Sequence, residues 1–222
     1  MSTSLVVGST PDALAAELIK RIVSIAEQAV QARGVCNVAV SGGSMPKLLK
    51  GLAQAEGIDW TKFKIYFADE RCVPLDHSDS NYKAWEDMFS ASGIPAANVI
   101  AVKTELSPEE AAADYEAKLK EAFPTLPCFD ASLLGVGPDG HTCSLFPSHP
   151  LLEENAKWVA HIEDSPKPPP QRVTLTYPVL NNSQNVMFIG TGAGKGPCFS
   201  PPPLRRGKGA RWRRGVPYPA GG

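Results

Sequence analysis

The chain has 222 residues, 43% of them hydrophobic, with a formal net charge of −1. That length supports one sizeable domain with a real core, or two small ones. The near-neutral balance argues against a nucleic-acid protein, because binders of the phosphate backbone carry a clear basic excess. No apolar run approaches the ~20 residues that span a bilayer, and residues 1–10 lack the basic-then-apolar plan of a secretory leader. Cys36, Cys72, Cys128, Cys143 and Cys198 are dispersed without CxxC or zinc-type spacing. Such a set reads as reduced thiols, and a cytoplasmic location is expected.

Helix and strand signals alternate along the chain. Residues 11–33 place Leu14, Leu18, Ile22, Ile25 and Ala29 on one stripe that stops at Gly34, the pattern of an amphipathic helix. Residues 35–40 form a short β-branched run, as a buried strand does. Residues 46–54 read as a helix with Ser44 as its N-cap. Residues 63–67 read as a strand, followed by a polar loop and a helix over 81–91. A third strand is predicted over 98–102. Ser107, Pro108 and Glu110 then spell a capping box, opening a helix that runs to about Phe123. Residues 129–136 make a strand ending in a glycine-rich loop, and 185–190 make one more. Strands separated by helices need crossover connections, so the expected fold class is α/β, a mainly parallel sheet with helices on both faces. In such sheets ligands bind beyond the carboxyl ends of the strands. That rule points to the loops at Ser41, Asp69, Gly137 and Thr191.

The composition shifts at Pro197. Residues 197–222 hold six prolines, five glycines and six Lys/Arg without a single acid, which leaves the first 196 residues at −7. The expected organisation is an α/β domain over 1–196 and a tail over 197–222. Its basic residues could form a nucleic-acid arm or a membrane patch, and its composition also suits disorder. A third reading fits best. Pro, Gly, Arg and Ala have codons rich in G and C, so a message read in a shifted frame beyond a junction near Gly196 produces this texture.

Four loops carry candidate chemistry. Ser41, Gly42, Gly43 and Ser44 follow a strand and open a helix, where glycines let the backbone approach an anion and the helix end offers N–H groups. A tight strand-to-helix turn would need the same glycines. Asp69, Glu70 and Arg71 end the next strand with two acids and a base, either a substrate-facing triplet or a solvated ion pair. The strongest signal is Gly135-Val136-Gly137-Pro138-Asp139-Gly140-His141-Thr142, with an acid and a histidine two residues apart. Histidine titrates near neutrality and can take a proton from water and return it, and a carboxylate can fix its tautomer. Lys167 and Arg172 flank a proline-rich stretch that reads as a stiff extended loop, either an SH3-type ligand or a rigid linker. Lys195 follows the turn at Thr191, where a lysine could meet a phosphate. No GxSxG elbow supports a serine nucleophile. His141 has no His or Cys at ligand spacing, so no metal is expected.

Together these loops resemble the 6-phosphogluconolactonase family in order and spacing, from near the N-terminus to about Gly196. The resemblance rests on residues 41–44, on Asp69-Glu70-Arg71, on residues 135–147, on residues 164–175 and on the turn ending in Lys195. It implies a Rossmann-like α/β fold and opening of 6-phospho-D-glucono-1,5-lactone to 6-phosphogluconate in the pentose phosphate pathway. It implies no cofactor, a small-molecule partner only, and a monomer. The related glucosamine-6-phosphate deaminases have a Glu five residues after the histidine, where Phe146 stands here, and an aromatic after the acidic pair, where Arg71 stands. On this reading His141 is the general base and acid, supported by Asp139. Ser41, Gly42, Gly43, Ser44, Asp69, Arg71, Arg172 and Lys195 hold the substrate. The family chain continues past the Lys195 turn through a helix, a strand and a helix, elements that the tail replaces here, so the alternative readings are a catalytically impaired variant of the lactonase and, less favoured, a sugar-phosphate deaminase.

Overall fold

A computed structural model describes residues 4–192. Lys195, Cys198 and the predicted tail at 197–222 lie outside the described residues. Helix α1 spans Pro11–Arg33: Thr10 Oγ1 accepts from the Ala13 N–H at 3.1 Å, and Gly34 closes the helix at φ 74°, a left-handed conformation that glycine adopts without strain. Strand β1 (Cys36–Val40) follows. The helix expected over 46–54 is broken. Helix α2 covers only Met45–Leu48, and a 3₁₀ turn takes Lys50–Gln54. Ser44 holds the N-cap position that the sequence suggests, in an αR conformation, but its side chain makes no cap hydrogen bond. Strand β2 (Phe63–Phe67) runs directly into β3 (Asp69–Arg71), and α3 covers Asn81–Ser92. Strand β4 is only Val99–Ile100, shorter than expected. Helix α4 (Pro108–Ala122) starts with the predicted capping box at Ser107 and Glu110. Strands β5 (Ala131–Gly135), β6 (Val159–Ile162) and β7 (Arg172–Leu175), helix α5 (Tyr177–Asn181) and strand β8 (Val186–Ile189) complete the described chain.

The main sheet has five strands in the order β4-β2-β1-β5-β8, and its pairings are all parallel. The α/β class expected from the alternating elements is therefore the fold. Parallel strands are buried on both faces, and here alternate residues divide between two cores. Val38, Val40, Ile65 and Phe67 join α1, α2 and α3 on one side. Ala39 and Tyr66 join α4, α5 and a second sheet on the other.

That second sheet, β3-β7-β6, is antiparallel and was not foreseen. Its strands have three to four residues, too few for alternation to declare itself. Asp69-Glu70-Arg71, expected as a loop, is one of these strands. Ala68 joins the two sheets: its N–H donates to Val40 O at 2.8 Å, and its own carbonyl accepts from Leu175 N at 2.8 Å. The Tyr115 hydroxyl accepts from Phe67 N at 2.7 Å just before that joint. The carboxyl ends of β1, β2 and β5 thus open onto the second sheet, and the candidate residues gather there.

Candidate active site

The loop after β5 closes on itself. Gly137 N donates to His141 O at 2.8 Å and Gly140 N to Gly137 O at 3.0 Å, while Thr142 Oγ1 donates to Gly135 O at 2.8 Å. Gly137 is required by space: a Cβ there would lie 2.1 Å from His141 Cε1 and 2.6 Å from Asp139 Oδ1. The loop brings His141 Nδ1 to 2.5 Å from Asp139 Oδ1. Lys167 Nζ donates to the same carboxylate oxygen at 3.0 Å and stands 3.2 Å from His141 Nδ1. The Phe146 ring packs on the imidazole with centroids 4.6 Å apart.

This environment sets the protonation of the pair. Burial works to raise the Asp139 carboxyl, but the hydrogen bonds from His141 and Lys167 hold it down at about 2. Burial pushes the His141 imidazole below its ordinary value, Asp139 opposes that, and the Lys167 ammonium adds to it. At neutral pH the pair is a carboxylate and a neutral imidazole. An ionised Asp139 only accepts, so Nδ1 carries the proton and Nε2 keeps a lone pair. Lys167 is a donor only, so its approach to a protonated Nδ1 is repulsive and disfavours the imidazolium. The arrangement can accept a proton at Nε2, the first need of a general base.

The proline-rich stretch is a loop wound around a buried cation, not an extended linker. Arg172, 2% exposed at the start of β7, donates from Nε to Pro169 O at 2.9 Å and from Nη2 to Lys167 O at 2.8 Å and Pro168 O at 3.1 Å. A buried guanidinium needs acceptors, and these loop carbonyls supply them. Arg172 therefore braces the loop that delivers Lys167, and most of its donors are spent there. Arg71 pairs opposite Arg172 in the β3–β7 register and donates from Nη1 to Asp79 O at 2.7 Å. Its Nε is shielded from solvent and bonded to no acceptor among the described residues. Burial, and then the neighbouring Arg71 charge, lower the Arg172 pKa. Two guanidiniums side by side make an electropositive wall.

Asp69 is not free for a ligand. It is 4% exposed, and its carboxylate accepts from Ser144 Oγ at 3.0 Å and from Asn81 Nδ2 at 3.2 Å. Glu70, 1% exposed, accepts from Arg71 N, Asn81 N, Tyr82 N and Ser80 Oγ, pinning the start of α3. Burial pushes its carboxyl up to about 7 against the pull of those backbone donors. The glycine loop sits next to this start. Ser41 is buried, its carbonyl accepts from Trp85 Nε1 at 2.9 Å, and Gly43 takes φ 70°. The N–H groups of Gly42, Gly43 and Ser44 donate to no acceptor among the described residues. Because α2 is so short, any pull on an anion comes from these loop amides more than from a helix dipole.

The structure thus gathers His141, Asp139, Asp69, Arg71 and Arg172 around the junction of the two sheets, with the glycine loop held to Asp69 through Asn81. Lys167, Asn81, Ser144 and Phe146 belong to the same constellation and were not among the predicted site residues. Lys167 stands out in the sequence as a charge among prolines and Phe146 as the residue five positions after His141; nothing local marks Asn81 or Ser144. Among the described residues there is no group of three His, Cys, Asp or Glu able to hold a metal.

A family model described as glucosamine-6-phosphate isomerases/6-phosphogluconolactonase matches residues 9–200. The chain belongs to this family. It is 49% identical over 172 residues to a 6-phosphogluconolactonase of Homo sapiens, covering 74% of this chain and 67% of that one. It is 46% identical over 196 residues to the Rattus norvegicus 6-phosphogluconolactonase, covering 84% and 76%. A probable chloroplastic 6-phosphogluconolactonase 3 of Oryza sativa subsp. indica is 43% identical over 208 residues, covering 86% of this chain; the chain spans 63% of that relative's length. Among solved structures, the 6-phosphogluconolactonase of Thermotoga maritima superposes with a TM-score of 0.74 at 32% identity, covering 82% of this chain and 81% of that one. The Trypanosoma cruzi 6-phosphogluconolactonase gives 0.76 at 31%, covering 86% and 80%. Phe146, packed on the His141 ring, offers no proton there.

Proposed function

We propose that this chain hydrolyses 6-phospho-D-glucono-1,5-lactone to 6-phospho-D-gluconate, the lactonase step of the oxidative pentose phosphate pathway. The observation that carries the reading is the His141–Asp139 pair, neutral at the ring and open at Nε2, in a family whose members of similar sequence are named 6-phosphogluconolactonases. His141 takes a proton from water at Nε2 as the oxygen attacks the C1 carbonyl of the lactone. Asp139 stabilises the imidazolium that forms. The C1–O5 bond then breaks and His141 returns the proton to the departing ring oxygen, so the net reaction consumes one water. A positioned acid–base group of this kind contributes about 10²–10⁴ in rate. Arg71, with the amides of Gly42, Gly43 and Ser44, holds the phosphate; Lys195, outside the described residues, is assigned to the substrate by the family resemblance alone. The reaction needs no cofactor.

The same reading places the chain in the cytoplasm as a monomer. Cys36, Cys72, Cys128 and Cys143 are all free, as a reducing compartment keeps them, and no described helix is long and apolar enough to cross a membrane. It also takes residues 1–196 as the catalytic unit and 197–222 as a tail outside it, a division supported by the change of composition at Pro197.

The test is hydrolysis of freshly generated 6-phosphogluconolactone, corrected for the spontaneous reaction. Turnover above background is expected, falling by about 10²–10⁴ in folded His141→Ala. Background-only rates from the folded wild-type chain would remove the reading. Equal rates from the full chain and from residues 1–196 would place the tail outside the catalytic unit.

A further inference from the structure

Asn81 is the first residue of α3, and the helix does not need its side chain there. The preceding Ser80 is the N-cap and accepts from Lys83 N at 3.3 Å. The backbone N–H of Asn81 is satisfied by Glu70 Oε1 at 2.7 Å. Yet the Asn81 side chain turns inward, and the residue is 2% exposed. Its amide orientation is dictated by its partners. Nδ2 lies 2.8 Å from the Asp69 carbonyl oxygen and 3.2 Å from Asp69 Oδ1, both acceptors, so the donor end must face them. That leaves Oδ1 against Gly42, where it occupies the place of a side chain: a Cβ on Gly42 would lie 1.8 Å from it. The other carboxylate oxygen of Asp69 accepts from Ser144 Oγ at 3.0 Å, three residues beyond His141.

We propose that Asn81 is a positioning residue for anion binding: it seats the Gly42 loop against Asp69, and through Asp69 and Ser144 fixes that loop relative to His141. A phosphate on the loop amides is thereby held at one distance from the proton-accepting Nε2. This assignment rests on the reading of residues 41–44 as the phosphate loop. It also gives Gly42 a reason beyond backbone conformation, since the space a Cβ would need is filled by Asn81. Asp69 becomes the joint between the binding loop and the chemical loop, which explains why both of its oxygens are occupied by protein.

The experiment uses the full chain and the lactone, with inorganic phosphate as a competing probe. Turnover by the wild type is established first, and its absence would remove the underlying functional reading without touching the geometry. In Asn81→Asp the donor to Asp69 becomes a second carboxylate of nearly the same volume. For a positioning residue KM and the phosphate inhibition constant should both rise about 10-fold, with kcat changed less than about 3-fold. A folded Asn81→Asp protein with unchanged KM and phosphate inhibition, or with kcat alone reduced, would overturn the proposal. Should that variant fail to fold, a cycle of Gly42→Ala and Asn81→Ala decides. Gly42→Ala should weaken phosphate inhibition by about 10-fold in the wild-type background and by less than about 2-fold once Asn81 is truncated. Additive effects would show that the two residues do not act through each other, and the proposal would fall.

Discussion

The glycine loop after β1 and the His141 loop after β5 both leave the carboxyl edge of the same parallel sheet, yet they are held in opposite ways. The His141 loop is bonded from within, by Gly137 to His141, Gly140 to Gly137 and Thr142 to Gly135. The glycine loop is held from outside, by Trp85 on the Ser41 carbonyl and by Asn81 against Gly42. A loop that must present a side chain at a fixed angle can spend its own amides on itself. A loop that must present its amides cannot, so its support has to come from a neighbouring helix. The difference suits a division of labour between chemistry and binding.

Breaking the inwardly bonded loop should have the largest effect. Gly137→Ala puts a methyl group 2.1 Å from the ring atom of His141. A displacement of about 1 Å at a reacting group costs about 10²-fold in rate, so kcat/KM should fall at least that far while the melting temperature moves little. Steady-state kinetics beside thermal denaturation would check it, and near-normal turnover would mean that the loop relaxes without moving the ring.

The support of the other loop runs through α3 and so through Glu70. In Glu70→Gln an amide donor faces backbone donors, and stability should fall by about 1–3 kcal/mol. The pH dependence sharpens this. Because the folded-state pKa of Glu70 is raised to about 7 from an ordinary 4.5, its contribution is full below the unfolded value and is lost as pH rises through about 7. Denaturant titrations from pH 5 to pH 8 should show that decline in the wild type and not in Glu70→Gln. Equal slopes would show that the four donors around Glu70 outweigh its burial.

The smallest effect is expected at Lys167, which touches the chemical loop only from outside. In Lys167→Met the cation beside His141 is gone, so the imidazole pKa should climb toward its ordinary value and the acid limb of the kcat/KM profile should move to higher pH. The loss at the pH optimum should stay below about 10-fold, the lower range for one positioned group. A limb that does not move would separate Lys167 from the titration of His141.

Much of this could be seen in the sequence because it depends on local rules. The period of α1, its end at Gly34, the capping box at Ser107 and the apolar run of β2 are each settled by neighbours within a few residues. So was the His141 loop, where three glycines, an aspartate and a histidine stand together. What could not be seen depends on partners far along the chain. Asp69 reads as a ligand-facing acid until Ser144, 75 residues away, is found on its carboxylate. Arg172 reads as a substrate clamp until the carbonyls of the proline loop are found around it. The second sheet was missed because its strands derive their stability from β7 lying between two others, a fact that no three-residue window contains. Ser44 takes the cap position its residue type suits, but its αR backbone leaves the side chain without the capping hydrogen bond that the sequence suggests.

Ala68 carries a consequence for motion. One peptide unit on it is tied to β1 and the next to β7, with 2.8 Å on either side, so this single small residue works as a rivet through two plates. A swing of one sheet against the other would have to stretch bonds on both sides of the rivet at once. Any opening for a ligand is therefore expected at the loops of the rim, not at the seam between the two plates.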